Sequence, residues 1–160
     1  MENDTTQYAG FWIRFVAYLI DAVVISFIEG VLIIPLLILL GFNAAFFQSF
    51  TELQEVDPVV LIPAIISAGT GIYLSIFLIT WLYYAVMQSG PRQATVGKMA
   101  LGLIVIDANG DRLSFGRASL RFFSKIISNA ILMIGYIMAG FTSRKQALHD
   151  MIANTYVIRK

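Results

Sequence analysis

The chain has 160 residues, of which 58% are hydrophobic and 13% are charged, and its mean hydropathy is +0.78. Soluble domains carry about 25% charged residues, so this composition excludes an ordinary water-soluble globule and an intrinsically disordered chain. A formal net charge of +1 argues against a nucleic-acid partner, and the absence of cysteine excludes a disulfide scaffold, which leaves a small integral membrane protein.

Two apolar segments are long enough to cross a lipid bilayer. The first covers about 12–40 and is interrupted by Asp21 and Glu29, whereas the second covers about 59–87 and contains no charged residue. A spanning helix needs about 20 apolar residues, so both segments predict transmembrane helices. Because the first run is too long for a signal peptide and follows an acidic N-terminus, we expect this helix to be retained.

The second segment carries small residues along one face of its predicted helix. Ser67, Gly71 and Ser75 are spaced four residues apart. Small side chains at this spacing allow another helix to approach closely. We expect this face to pack against the first span, and the alternative is an interface in a homo- or hetero-oligomer.

Lysine and arginine are distributed unevenly around the apolar segments. The loop at 41–58 has neither and carries three acidic residues, whereas basic residues follow the second and third apolar segments. Short cytoplasmic loops are enriched in Lys and Arg. This distribution predicts a protein of the cell membrane, inner or plasma, with a cytoplasmic N-terminus and a cytoplasmic central segment.

The third apolar segment, at about 119–141, has two interpretations. Its uncharged part begins at Ile126 and measures about 24 Å as a straight helix, which is short for a span. A full crossing would put the basic tail at 142–160 outside the cell, against the charge distribution. A re-entrant segment would return the tail to the cytoplasm, and we favour it over the full crossing.

The stretch at about 95–116 predicts a small cytoplasmic β-hairpin. Residues 101–107 are rich in β-branched side chains, and the Asn109-Gly110 pair that follows is a strong hairpin-turn signal. Residues 155–158 have the composition of another strand. If this strand pairs with 101–107, both lie on the same side of the membrane.

A helix is predicted directly after the hairpin, with Ser114 as its N-cap. Its basic residues Arg117, Arg121 and Lys125 are spaced four apart and form one stripe. We expect this stripe to face solvent or lipid headgroups.

Three groups of residues resemble the RDD family of membrane proteins. They are GFWIRFVAYLID at 10–21, TVGKMALG at 95–102 with Asp107 and Gly110, and LHD at 148–150 with ANT at 153–155. The resemblance covers nearly the whole chain and treats 1–160 as a single membrane domain. One departure is Val96, where the family usually has proline.

The resemblance also implies which residues form a site. The family is named for one arginine and two aspartates, which correspond to Arg14, Asp21 and Asp150, and Arg121 matches a further arginine commonly found after the hairpin. Transport of unidentified ligands has been proposed for the family, and some relatives are described as sodium–proton antiporters. The resemblance therefore implies an intramembrane charge cluster in a transporter or a cation or proton (Na⁺/H⁺) exchanger component.

The spacing of the charged residues constrains how they meet. Arg14 and Asp21 share a helix face but lie about 10.5 Å apart along its axis, so a direct ion pair is not expected. An ionised residue within a span costs roughly 2.5–3.5 kcal/mol on insertion scales, so Asp21 should face the bundle interior and a polar partner. Glu29, Lys98 and His149 are additional candidate site residues.

Three interpretations of this charge cluster stay open. In the first, Asp21 binds a proton or Na⁺, with Arg14 as its counter-charge and Asp150 as a cytoplasmic gate. In the second, the protein is a non-enzymatic partner or regulator of another membrane protein. In the third, the cluster is mainly architectural and ties the tail to the helical bundle.

The sequence contains no motif for catalysis or metal binding. Gly97-Lys98 lacks the flanking residues of a phosphate-binding loop, and a lone His149 without any cysteine does not predict a zinc site. We therefore expect no enzyme activity, metal, cofactor or nucleic-acid partner. The predicted fold is an all-α multi-pass helical bundle in the lipid bilayer, with two full spans, a third re-entrant or spanning segment, and a small cytoplasmic β-hairpin.

Overall fold

The computed structural model describes residues 7–39, 58–131 and 134–160. The described chain is mostly helical and contains a small two-stranded antiparallel sheet. The elements in chain order are α1 (Phe11–Leu39), α2 (Pro58–Ser89), α3 (Val96–Ala100), β1 (Leu103–Asp107), α4 (Phe115–Ala130), α5 (Ile134–Ile137), a 3₁₀ turn (Met138–Gly140), α6 (Leu148–Ile152) and β2 (Thr155–Arg159). The predicted acidic loop at 41–58 lies outside the described residues, except for Pro58.

Helices α1 and α2 are both long and apolar enough to cross a membrane. Each begins and ends within two residues of its predicted span. Their large apolar side chains point away from the rest of the described chain; Phe27, for example, is 73% exposed. Such side chains suit lipid tails, which are as apolar as leucine. The chain is therefore a membrane protein with at least two candidate spanning helices.

The chain divides into two compact units. Unit 1 combines the N-terminal residues up to Val24 with Trp81–Lys160, and unit 2 is Ile25–Thr80. Each of the two long helices contributes residues to both units.

Unit 2 contains the C-terminal half of α1 and most of α2. Here Thr80 Oγ1 donates a 2.9 Å hydrogen bond to the half-buried carboxylate of Glu29. Ser75 Oγ donates within α2 to the carbonyl of Gly71. The expectation that the small-residue face packs tightly on the first span is wrong at Gly71, because an added methyl group there would meet no described atom within 4 Å.

The sheet in unit 1 joins distant parts of the chain. Strands β1 and β2 pair antiparallel, with Val105 opposite Val157, so the predicted pairing of the two segments is confirmed. The N-terminal segment adds to the free edge of β2, because the Ala9 N–H donates to the Val157 carbonyl (2.9 Å) and the Arg159 N–H donates to the Gln7 carbonyl (2.9 Å). Val105 and Val157 are fully buried in the core of this unit.

The hairpin predicted at 95–116 is only partly present. Its turn forms at Asn109-Gly110, where Gly110 has a positive φ of 89° that suits glycine. The return strand is reduced to a single bridge between Ile106 and Arg112, and α3 occupies the start of the stretch. The return strand is short because Leu113 turns into the core, and the next residue, Ser114, accepts the N–H that caps α4.

Helix α4 buries its polar side and exposes its apolar side, which is the reverse of a helix on a soluble protein. The predicted solvent- or headgroup-facing basic stripe is therefore wrong for Arg121, which is 2% exposed because its partners lie inside unit 1. Arg117 instead pairs with Asp107 at 2.6 Å. The buried polar residues of α4 are Arg121, Ser124 and Ser128, and its exposed apolar residues are Phe115, Leu120, Phe123, Ile126 and Ile127.

The third apolar segment is divided into two helical pieces. Helix α4 and the piece Ile134–Gly140 are inclined at 118° to one another. By length and composition, the pair fits either a broken span or a re-entrant loop.

Candidate functional site

Asp150 lies in the first turn of α6 and is completely buried. Its Oδ2 accepts the N–H of Ala147 (3.1 Å), which caps this short helix, and also pairs with Nη1 of Arg14. Its Oδ1 accepts Nε of Arg121 at 2.8 Å and also contacts Nη2 of the same guanidinium. One carboxylate therefore connects α1, α4 and α6, and we call these three charged residues the Asp150 network.

Both arginines have further acceptors that fix their orientation. Arg14 donates from Nε to the carbonyl of Ala9 (2.8 Å) and from Nη2 to the carbonyl of Lys145 (2.7 Å). Arg121 donates from Nη1 to the side-chain oxygen of Gln88 (2.6 Å). A guanidinium presents five N–H donors in a rigid plane, so it can satisfy several fixed acceptors where lysine cannot.

The electrostatics of this network keep Asp150 ionised. Burial by itself raises the pKa of the Asp150 carboxyl, but the charges of Arg121 and Arg14 outweigh it and hold that pKa well below its usual range. His149 Nε2 lies 3.4 Å from the same carboxylate. Burial lowers the pKa of His149 well below its ordinary value, so the imidazole is neutral at pH 7.

Asp21 belongs to a separate network of neutral donors. Its Oδ1 accepts the hydroxyl of Tyr83 (2.8 Å) and the N–H of Gly97 (2.7 Å), and its Oδ2 accepts the hydroxyl of Thr95 (2.6 Å). The carboxylate is 1% exposed and makes no ion pair within the described ranges. The residues expected to form one cluster therefore belong to two networks. The segment at 95–97 packs against Asp21 and supplies hydrogen-bond donors to its carboxylate in place of an arginine.

Gly97 permits this close approach of α3 to α1. A Cβ at this position would lie 2.0 Å from the carbonyl oxygen of Ala17, so only glycine fits without displacement. Because Gly97 sits directly against α1, the next residue, Lys98, is also carried into the interior of unit 1, where it is 8% exposed. The sequence comparison with the RDD pattern singled out this segment, but only the structure shows that Thr95, Gly97 and Tyr83 serve as donors to Asp21.

Within the three described ranges, no group of three or more His, Cys, Asp or Glu side chains is placed to hold a metal ion. Asp150 is engaged by the two arginines, and His149 directs its Nε2 toward the same carboxylate.

Comparison with known proteins identifies the family of this chain. The RDD family model matches residues 8–154. The chain belongs to the RDD family. In this RDD protein, the arginine and the second aspartate of the family name, Arg14 and Asp150, contact each other, whereas the first aspartate, Asp21, holds the segment at 95–97.

Three relatives extend the match over most of the chain. The uncharacterized protein YxaI of Bacillus subtilis (strain 168) is 35% identical over 154 residues, which cover 95% of this chain and 97% of the relative. The uncharacterized membrane protein YteJ of the same organism is 31% identical over 159 residues, with coverage of 98% and 84%. The uncharacterized protein RP437 of Rickettsia prowazekii (strain Madrid E) is 30% identical over 122 residues, with coverage of 74% and 64%. No solved structure gives a significant match.

Replacing Asp150 by asparagine tests the network directly. In Asp150→Asn two guanidinium groups stay buried beside a neutral amide, so we expect a loss of about 3–5 kcal/mol in the free energy of unfolding. Thermal unfolding in detergent at pH 7 measures this loss. The exposed Asp111 supplies the matched control, and Asp111→Asn should change stability by no more than about 0.5 kcal/mol.

The pH dependence of the stability of wild type and Asp150→Asn gives a second check. Because the pKa of Asp150 is lower in the folded than in the unfolded chain, its stabilisation is present above the unfolded pKa of about 3.9 and is lost as the pH falls further. The difference between wild type and Asp150→Asn should therefore be constant from neutral pH down to about 5 and shrink in stronger acid. Equal stability of the two proteins at pH 7 would contradict a structural role for the carboxylate.

Proposed function

We propose that this RDD protein is a non-enzymatic, multi-pass protein of the cell membrane that acts by binding a membrane partner, and that its Asp150 network is structural. The observation that carries this proposal is that donors of the fold already engage both aspartates. Each carboxylate oxygen of Asp150 and Asp21 already accepts at least one hydrogen bond from a donor fixed in the fold. An exchanged cation would have to displace these donors, which argues against ion carriage by either aspartate.

The proposal includes a topology in which the N-terminus, the central segment and the tail share the cytoplasmic side. Its support is the hydrogen bonding of three segments, since both β1 and 7–9 are hydrogen-bonded to β2 and the three cannot lie on opposite sides of a bilayer. Two full spans return the chain to its starting side, so the third segment has to enter and leave from that side. The outward apolar face of α4 supports its contact with lipid, and the basic residues favour the cytoplasmic side.

Accessibility of the C-terminal residue tests this topology. The chain contains no cysteine, so a single Lys160→Cys substitution can be labelled without background. We expect a membrane-impermeant maleimide to label it only after the cells are permeabilised. The control is Glu52→Cys, in the acidic loop predicted to lie outside, which should react in intact cells. Labelling of Lys160→Cys in intact cells would refute the re-entrant arrangement.

The partner-binding role is best supported by the small-residue face of α2. Ser67 and Gly71 are exposed and Ser75 is half-buried. The open space at Gly71 leaves room for the backbone of another helix, from a second copy or from another membrane protein.

A bulky residue on this face should prevent association. We expect chemical cross-linking in native membranes to give a complex larger than the monomer, and Gly71→Leu to reduce its yield by about fivefold or more. Gly69→Leu is the matched control, because Gly69 is also exposed with open space but lies on the opposite side of the helix. Equal yields for the two variants would contradict an interface at this face.

Cation or proton exchange is a second candidate function, and Glu29 is the observation that favours it. This carboxylate lies within the α1 span, is half-buried and, in the described part of unit 2, has only the neutral Thr80 hydroxyl as its partner. An ionisable group without a counter-charge inside a span commonly marks an ion or proton path.

Flux measurements separate the two functions. Purified protein in liposomes should move no Na⁺ or protons above the level of empty liposomes if the structural interpretation is correct. Flux that is present in wild type, lost in Glu29→Gln and kept in the loop control Glu52→Gln would establish exchange centred on Glu29 and replace the partner-binding proposal.

A further inference from the structure

Two lysines of unit 1 approach the same aromatic ring without an acidic partner. Lys98 Nζ lies 5.9 Å and Lys125 Nζ lies 3.8 Å from the ring centroid of Tyr84. Tyr84 is 5% exposed and Lys98 is 8% exposed, so the ring and one of the lysines are buried. Within the described residues, neither ammonium group forms an ion pair or a hydrogen bond.

The surrounding carboxylates compensate these lysines only in part. The two nearby carboxylates, Asp21 and Asp150, are already engaged by the donors described above. Buried cations in proteins are normally paired, because an ammonium without hydrogen-bond acceptors loses its hydration without compensation. Lys98 and Lys125 therefore lie beside Tyr84 without an acidic partner of their own among the described residues.

The fold holds both lysines in place rather than leaving them as free surface groups. Lys98 follows Gly97, whose N–H bonds to Asp21 and whose missing side chain brings α3 against α1. Lys125 lies one helical turn after Arg121 on the inward side of α4, and Arg121 is fixed by Asp150 and Gln88. The two networks that contain the family aspartates thus also position these two ammonium groups.

We propose that Lys98 and Lys125, beside the Tyr84 ring, form a binding site for a phosphate-bearing anion. Phosphate suits this site because its several oxygens can accept donors from both ammonium groups, and lysine is a frequent phosphate ligand in proteins. The anion can come from two sources, an anionic phospholipid headgroup or a free phosphate or phosphate ester. The apolar outer face of α4 places the site near lipid in the proposed topology.

The surroundings of Lys98 disfavour its charged form. Burial, together with the charges of Arg121 and Lys125, lowers the pKa of Lys98 well below its usual range. An anion bound between the two lysines would oppose this effect and favour the charged form.

Native mass spectrometry of the purified protein in detergent tests the proposal and identifies the source. The protein is titrated separately with phosphatidylglycerol, with zwitterionic phosphatidylcholine and with inorganic phosphate. We expect phosphatidylglycerol or inorganic phosphate to bind about tenfold more tightly than phosphatidylcholine. Binding of phosphatidylglycerol alone identifies a lipid headgroup site, and binding of inorganic phosphate identifies a site for free phosphates.

Matched variants connect the binding to the two lysines. Lys98→Gln/Lys125→Gln should weaken anion binding by about tenfold or more, whereas Lys160→Gln, an exposed lysine outside the site, should leave it unchanged. If the double variant does not fold, the half-buried Lys125 is replaced alone, with an expected loss of about fivefold.

Three results would contradict the proposed binding site. They are equal binding of the anions and phosphatidylcholine by wild type, unchanged anion binding in the Lys98 and Lys125 variants, and an equal loss in Lys160→Gln. The exchange and partner-binding experiments are independent of this outcome, since they probe Glu29 and Gly71 in unit 2.

Discussion

Unit 1 depends on one buried carboxylate that neutralises two guanidinium groups. Asp150 contacts Arg14 on α1 and Arg121 on α4, and it also caps its own helix. Removing a charge from water is costly unless it is paired and hydrogen-bonded, so each of the three residues is stabilised only while the other two are in place. This mutual dependence ties the tail of the chain to the first helix. A lysine in place of either arginine would lose some of the hydrogen-bond acceptors that the guanidinium reaches.

Asp21 is also a buried carboxylate, but a different set of partners stabilises it. Two hydroxyl groups and one backbone N–H satisfy its carboxylate without any cation. This arrangement requires glycine at position 97, because a side chain there would collide with the carbonyl of Ala17. In return, α3 is held against α1, and Lys98 is brought to its position beside Tyr84. Both aspartates therefore bond to groups of the fold, although of the two only Asp150 is ion-paired among the described residues.

Helix α4 has one side that contacts these networks and another side that is suited to lipid. Its buried side carries Arg121 and two serines, and its outer side is apolar, so the helix requires apolar surroundings outside and polar partners inside. A basic stripe on a helix usually indicates a solvated face, and the prediction for Arg121 failed because α4 buries its polar side within unit 1. The same inversion leaves Lys125 facing inward, where it meets an aromatic ring instead of water.

The sequence by itself determined the membrane class, both long helices, the strand composition of 101–107 and 155–158, and the residues that carry the family resemblance. These follow from local properties, since apolar length, β-branched composition and turn residues act within a few positions of one another. Only the tertiary structure decided the partners of each charge, because residues such as Arg14 and Asp150 are 136 positions apart and no local pattern records their contact. The division of the expected cluster into two networks follows from the folding of 95–97 onto α1, a contact set by shape and hydrogen bonding between distant segments.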